Sequence, residues 1–147
     1  MSPEQLFSIV NLVALLSWIA LAALPRLRWI ATTVTGLLVP LFFAVAYTVI
    51  VASAWRSSAG SFSTLGDVAT LFSQPWMLLA GWIHYLAVDL LVGSWEVRDA
   101  RERGIPHLLV VPCLFLTFMF GPAGWLLYRG VRTGRARYIA PSSADGP

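Results

Sequence analysis

Asp89 stands in the middle of an apolar run, between Leu86-Ala87-Val88 and Leu90-Leu91-Val92. A carboxylate at the centre of a bilayer costs roughly 2.5–3.5 kcal/mol on insertion scales, so it calls for a partner or a use. Helical geometry selects its neighbours. At about 100° per residue, Glu96 falls about 20° from Asp89 around the axis and Asp99 about 80°, with Tyr85 and Arg103 inside the same arc. Tyr85, Asp89, Glu96, Asp99 and Arg103 therefore form one polar stripe on an otherwise apolar helix. Asp99 and Arg103, spaced i, i+4, can pair. His84 points about 140° away, toward another helix or lipid. His107 begins the next helix and is placed to fold back toward Glu96 or Asp99.

Three readings of the stripe compete. It can be a salt-bridge network, with Arg98, Arg101 and Arg103 neutralising the acids. It can line a cavity and do acid–base chemistry on a lipophilic substrate. A carboxyl surrounded by hydrocarbon can stay protonated near neutral pH and act as a general acid, with a better-solvated carboxylate as base. On that reading Asp89, Glu96, Asp99 and His107 are the candidate catalytic groups. Trp82, which shares the face of Asp89, joins His84, Tyr85 and Arg103 as candidate substrate-binding residues. The third reading is metal or haem binding through His84, His107 and the acids. The chain has two histidines, and their spacing fits none of the strong metal motifs, so no metal site is assigned and the cofactor is left unknown.

The elements that must carry this stripe follow from composition. Among 147 residues, 58% are hydrophobic and 12% charged, against about 25% charged in a soluble domain. This predicts an all-α integral membrane protein, one domain, crossing the bilayer several times. The net charge of +3 comes from arginine alone. The arginines cluster at the ends of apolar runs, which is the pattern of a bilayer span and argues against a nucleic-acid partner. Cys113, the one cysteine, reads as a small buried hydrophobe.

Four spans are expected, at about 6–24, 29–54, 75–97 and 106–128. The first is too long and too poor in basic residues for a signal peptide. No plastid or mitochondrial transit sequence precedes it, so a bacterial or processed chain is expected. Pro25-Arg26-Leu27-Arg28 makes the first hairpin turn. Pro40 should kink the second span. Between spans two and three, Leu65, Val68, Ala69 and Phe72 recur at helical spacing and predict a short interfacial helix, either a plain connection or a lid over a lipid-facing cavity. Gly104-Ile105-Pro106 should stop the third helix, and Gly121-Pro122 should bend the fourth near its far end. Residues 129–147 read as a basic and then disordered tail. Tryptophans fall near span ends, as interfacial belts do. Four spans would put both termini on one side, with five arginines on each side.

The string GWIHYLAVDLLVGSWEVRDA, followed by GIPHLLVVPCLFLTFMFGPAGWLLY, resembles the abscisic-acid-deficient, neoxanthin-synthase-related membrane proteins of plant plastids and their bacterial homologues. The resemblance runs roughly from Phe7 to Tyr128. In plants that family is implicated in forming neoxanthin, an allenic xanthophyll, from the epoxide violaxanthin. The resemblance thus implies a carotenoid or another polyisoprenoid as ligand; the four spans read from the apolar runs make a four-helix bundle, expected in a bacterial inner membrane or, in plant relatives, a plastid membrane. It also implies possible chemistry: an isomerase that opens an epoxide with an acid and removes a polyene proton with a base. Asp89, Glu96, Asp99 and His107 stand at matching positions of the motif. The implied partners are membrane lipid, a second copy of the chain or other carotenoid enzymes. The alternative is a non-enzymatic protein that binds carotenoid or lipid, or scaffolds other enzymes.

Overall fold

The computed structural model describes residues 1–139 and is all-helical, with no strand among those residues. Six helices follow in order. The first, α1, is Pro3–Ala23. Ser2 and Gln5 cap it reciprocally, the Gln5 amide donating to Ser2 Oγ and the Ser2 amide to Gln5 Oε1, which occupies donors the first turn leaves free. The helix α2 spans Ile30–Ser57. Then come α3 (Leu65–Phe72), α4 (Pro75–Glu102), α5 (His107–Phe120) and α6 (Pro122–Ile139). Three of them, α1, α2 and α4, are long and apolar enough to cross a membrane. The helix α4 packs against every other helix.

The second helix departs from the simple kink expected at Pro40. Its first nine residues, Ile30–Leu38, are π-helical, and only Val39–Ala54 is α-helical. Proline removes a donor at the junction of the two, and side chains hold the wider turn. Thr35 Oγ1 donates to the Ile30 carbonyl five residues back (3.0 Å) and accepts from Ser94 of α4 (2.8 Å). Arg98 of α4 donates to the Ala31 carbonyl (2.7 Å). Gly36 leaves the room for this: a Cβ there would sit 2.5 Å from both the Ala31 oxygen and the Arg98 guanidinium.

The short helix α3 lies where an interfacial helix was expected, capped by Thr64 Oγ1 on the Asp67 amide. Its buried residue is Leu71, while Leu65 is exposed, so the inward face is rotated from the predicted one. The end of α4 is as expected: Gly104 takes a positive φ of 64°, and the Ile105 amide reaches back to the Ala100 carbonyl (2.8 Å) before Pro106. Trp18 does not join an interfacial belt. It is buried, its ring pressed on Gly93 of α4, where a Cβ would lie 2.6 Å away.

The largest correction concerns the fourth expected span. Residues 106–128 fall in two helices rather than in one continuous span. Contacts along α4 set their directions. His107 follows the end of α4, Thr117 meets Glu96, and Gly121 meets Asp89. So α5 runs antiparallel to α4 and reaches its middle. Tyr128 and Arg132 of α6 then meet Asp99, so α6 returns alongside α4 to the end where α5 began. Gly121-Pro122 reverses the chain where a bend was expected. Gly121 adopts φ +34°, and the proline that follows cannot continue the α5 hydrogen-bond ladder. With 14 residues, α5 is about 21 Å long, short of the roughly 30 Å hydrocarbon core. Described arginines therefore collect at one end of the bundle, in the 24–29 turn, around the end of α4 and along α6, and Arg56 lies at the other. Residues 129–139 of the expected tail are helical; residues 140–147 lie outside the described set.

Candidate functional site

The α5–α6 hairpin closes over the polar stripe of α4 and gives each carboxylate a different environment. Asp99 is 8% exposed and saturated with donors. Tyr128 Oη donates to its Oδ2 at 2.7 Å, Arg103 Nε lies 3.0 Å from both oxygens, and Arg132 Nε lies 3.6 Å from Oδ2. Tyr128 is itself fully buried, edge-on to Trp95 at 5.4 Å. A carboxylate held this way is an anchor between α4 and α6.

Glu96 is sealed, with no exposed surface, and Thr117 Oγ1 lies 3.1 and 3.2 Å from its two oxygens. Gly124 lets α6 lie directly on that pair, since a Cβ there would collide with the Thr117 amide and hydroxyl.

Asp89 differs from both. It is 7% exposed, and its Oδ2 is buried without a hydrogen bond of good geometry, the Tyr85 hydroxyl being the polar group that interacts with the carboxyl. The reversal at Gly121 sits against its other oxygen, where a Cβ would fall 2.6 Å from Oδ1. One turn along α4, Tyr85 Oη donates to the Phe118 carbonyl near the end of α5 (3.2 Å). Asp89 thus faces broken backbone at the tip of a helical hairpin, the kind of irregular backbone that membrane proteins confine to protein interiors or cavities. An unsatisfied buried carboxylate oxygen costs upward of about 1–3 kcal/mol, so it is the atom in the stripe most in need of a ligand.

The remaining sequence candidates scatter. His107 does not fold back toward Glu96 or Asp99. Its Nε2 lies 2.9 Å from the Ala22 carbonyl, because the Gly104–Pro106 turn delivers it to the end of α1, where carbonyls lack helical donors. Arg101 donates to the Pro25 carbonyl in the same corner. His84 packs on Tyr47 at 5.9 Å between ring centroids, on the other face of α4. Trp82 Nε1 donates to Asn11 Oδ1 of α1 (2.8 Å), and its ring lies 5.5 Å from that of Tyr85. Trp82 and Tyr85 line a shallow groove of about 330 Å³ with Phe72, Leu78 and Gly81. Arg103 serves Asp99. Among the described residues no three of His, Cys, Asp and Glu converge as a metal site would need.

Sequence reasoning missed Thr117, Gly124 and Tyr128, and read Gly121 only as part of a bend. Their signal was present: spaced by four, three and four, they mark one face of small and polar residues on an apolar segment, the pattern of close helix packing.

Fold and site together define a helical membrane protein built on three long apolar helices, with a carboxylate stripe on the central one closed by a helical hairpin. Residues 5–128 match the ABA4-like family, described as ABA DEFICIENT 4-like, and the chain belongs to that family. No curated protein and no solved structure matches it.

Proposed function

We propose that this protein binds a carotenoid-class polyene in the membrane and isomerises it by acid–base chemistry at Asp89, opening a ring epoxide to an allenic alcohol. The family membership supports the substrate class, through the resemblance to neoxanthin-synthase-related proteins. The observation that carries the site is the buried Oδ2 of Asp89 at the hairpin tip, which lacks a hydrogen bond of good geometry.

The chemistry needs one group acting twice. The protonated Asp89 carboxyl gives its proton to the epoxide oxygen as the ring carbon–oxygen bond breaks, leaving a hydroxyl. The resulting carboxylate takes a proton from the neighbouring polyene carbon, and the released electron pair forms the second cumulated double bond. One proton is given and one taken, so the carboxyl is regenerated and no redox change occurs. Trp82 and Tyr85, whose rings lie together in the groove, would flank the polyene, Tyr85 standing one turn along α4 from Asp89. Glu96 and Asp99 hold the hairpin shut, and His107 secures the end of α1.

The test is a pigment profile in a bacterium engineered to make carotenoids including violaxanthin. The parent chain and Asp67→Ala should form a new pigment, and Asp89→Asn should form none while remaining in the membrane. An unchanged profile from the parent would overturn the isomerase. It would favour the second reading, a non-enzymatic carotenoid-binding or scaffolding protein, which the full pairing of Asp99 also supports.

A further inference from the structure

A second cavity lies on the opposite face of α4 from the carboxylates. The helix α3 lies beside α2 and α4 and leaves with them a groove of about 670 Å³. Its walls are aromatic, with Tyr47 and Trp55 from α2, Phe62 from the connecting segment and Phe72 from α3. The rings of Trp55 and Phe62 stack at 5.7 Å and 24°, which closes that segment onto α2. Gln74 Nε2 ties its start down by donating to the Ala59 carbonyl (2.8 Å).

Charge at this groove is one-sided. Arg56 and His84 line it, and no carboxylate does. Arg56 is exposed and makes no ion pair among the described residues. Asp67, the acid of α3, accepts from Ser61 (3.2 Å) and is not in the groove wall. The remaining described arginines sit at the other end of the bundle. An apolar slot with a lone guanidinium at its mouth matches an amphipath with a hydrocarbon chain and an anionic head, since guanidinium binds phosphate oxygens in pairs. A zwitterionic head would bring an ammonium group with no carboxylate to receive it.

We propose that the groove between α2, α3 and α4 is a binding site for an anionic phospholipid, one acyl chain lying between Tyr47, Trp55 and Phe72 and the phosphate held by Arg56. This groove shares Phe72 and Gly81 with the one assigned to the polyene, but it lies on the other side of α4 from the Asp89 carboxyl and does not depend on its chemistry. It gives α3 the role of a clamp on a lipid chain.

The experiment is native mass spectrometry of the full chain released from nanodiscs of equal phosphatidylglycerol and phosphatidylcholine. The parent should retain one phosphatidylglycerol in preference to phosphatidylcholine. Arg56→Gln should lower that preference about fivefold, the factor expected for one arginine near an anionic surface. Ala52→Trp, which fills the groove from an exposed position on its wall, should lose the retained lipid while circular dichroism shows an unchanged helix content. Arg26→Gln, at the far end, should change nothing. Equal retention of the two lipids by the parent would overturn the proposal. So would an adduct that survives both groove variants, or one that Arg26→Gln removes as readily as Arg56→Gln.

Discussion

Replacing Gly124 by alanine sets two effects of opposite sign against each other. Alanine is the better helix former, by at most about 1 kcal/mol. Against that, the new Cβ would collide with the amide nitrogen, hydroxyl and Cα of Thr117. Two of those three are backbone atoms, so rotating a side chain cannot relieve the contact, and α6 must back away from α5. Overpacking of this kind costs about 1–3 kcal/mol. If the shift also separates Thr117 from Glu96, a fully buried carboxylate loses its hydrogen-bond donor, adding about 1–3 kcal/mol. The net expectation is a loss of up to about 2 kcal/mol from packing alone, and of at least about 1 kcal/mol once the Thr117–Glu96 bond is broken as well. Gly130 supplies the control on the same helix: a Cβ there meets nothing within 4 Å, so Gly130→Ala should be neutral or stabilising by up to about 1 kcal/mol. Both variants would be unfolded reversibly in mixed micelles by titration with dodecyl sulfate, followed by far-ultraviolet circular dichroism. If Gly124→Ala is as stable as Gly130→Ala, the packing described for the hairpin is wrong.

The anchor at Asp99 makes a graded prediction. Tyr128→Phe removes a buried donor at 2.7 Å and should cost about 1–3 kcal/mol. Arg103→Ala, whose side chain is 46% exposed, should cost under about 1 kcal/mol. The same titration checks the order, and a larger loss from the arginine would contradict it. Helix directions make a third prediction. Ser2→Cys and Thr133→Cys should react with a membrane-impermeant maleimide from opposite sides, Thr133 from the cytoplasm because the arginine-rich end faces it. Cys113, fully buried, should stay unlabelled in the parent. Labelling of both positions from one side would restore a four-crossing arrangement.

The stripe and the three long helices were legible because each rests on a local rule. Apolar length marks a span, and helical periodicity alone puts Asp89, Glu96 and Asp99 on one face; all three are buried against the hairpin. The hairpin itself was not legible. From His107 to Phe120 the chain is almost uniformly apolar, and Gly121-Pro122 announces a break without saying whether the chain bends or reverses. That choice is made by Thr117 and Tyr128 finding partners on α4 and by Gly124 lying on Thr117; their spacing marks a packing face without saying whether it belongs to one helix or to two. Nor was the placing of His107 legible, since its partner is a main-chain oxygen on α1. Side-chain spacing cannot point to a carbonyl. The π-helical start of α2 likewise depends on Ser94 and Arg98 of another helix.

The reversal at Gly121 also bears on how the chain enters a membrane. A continuous fourth crossing would require α6 to drag Arg129, Arg132 and Arg135 through hydrocarbon, at roughly 2.5–3.5 kcal/mol for each arginine that pauses at mid-bilayer. The hairpin spares the insertion machinery that passage. With the arginine-rich end on the cytoplasmic side, as the labelling experiment expects, such a hairpin would leave these arginines on the face where they are synthesised. In that orientation the crossing falls to a segment that includes residues 1–25, where Glu4 is the one charged side chain.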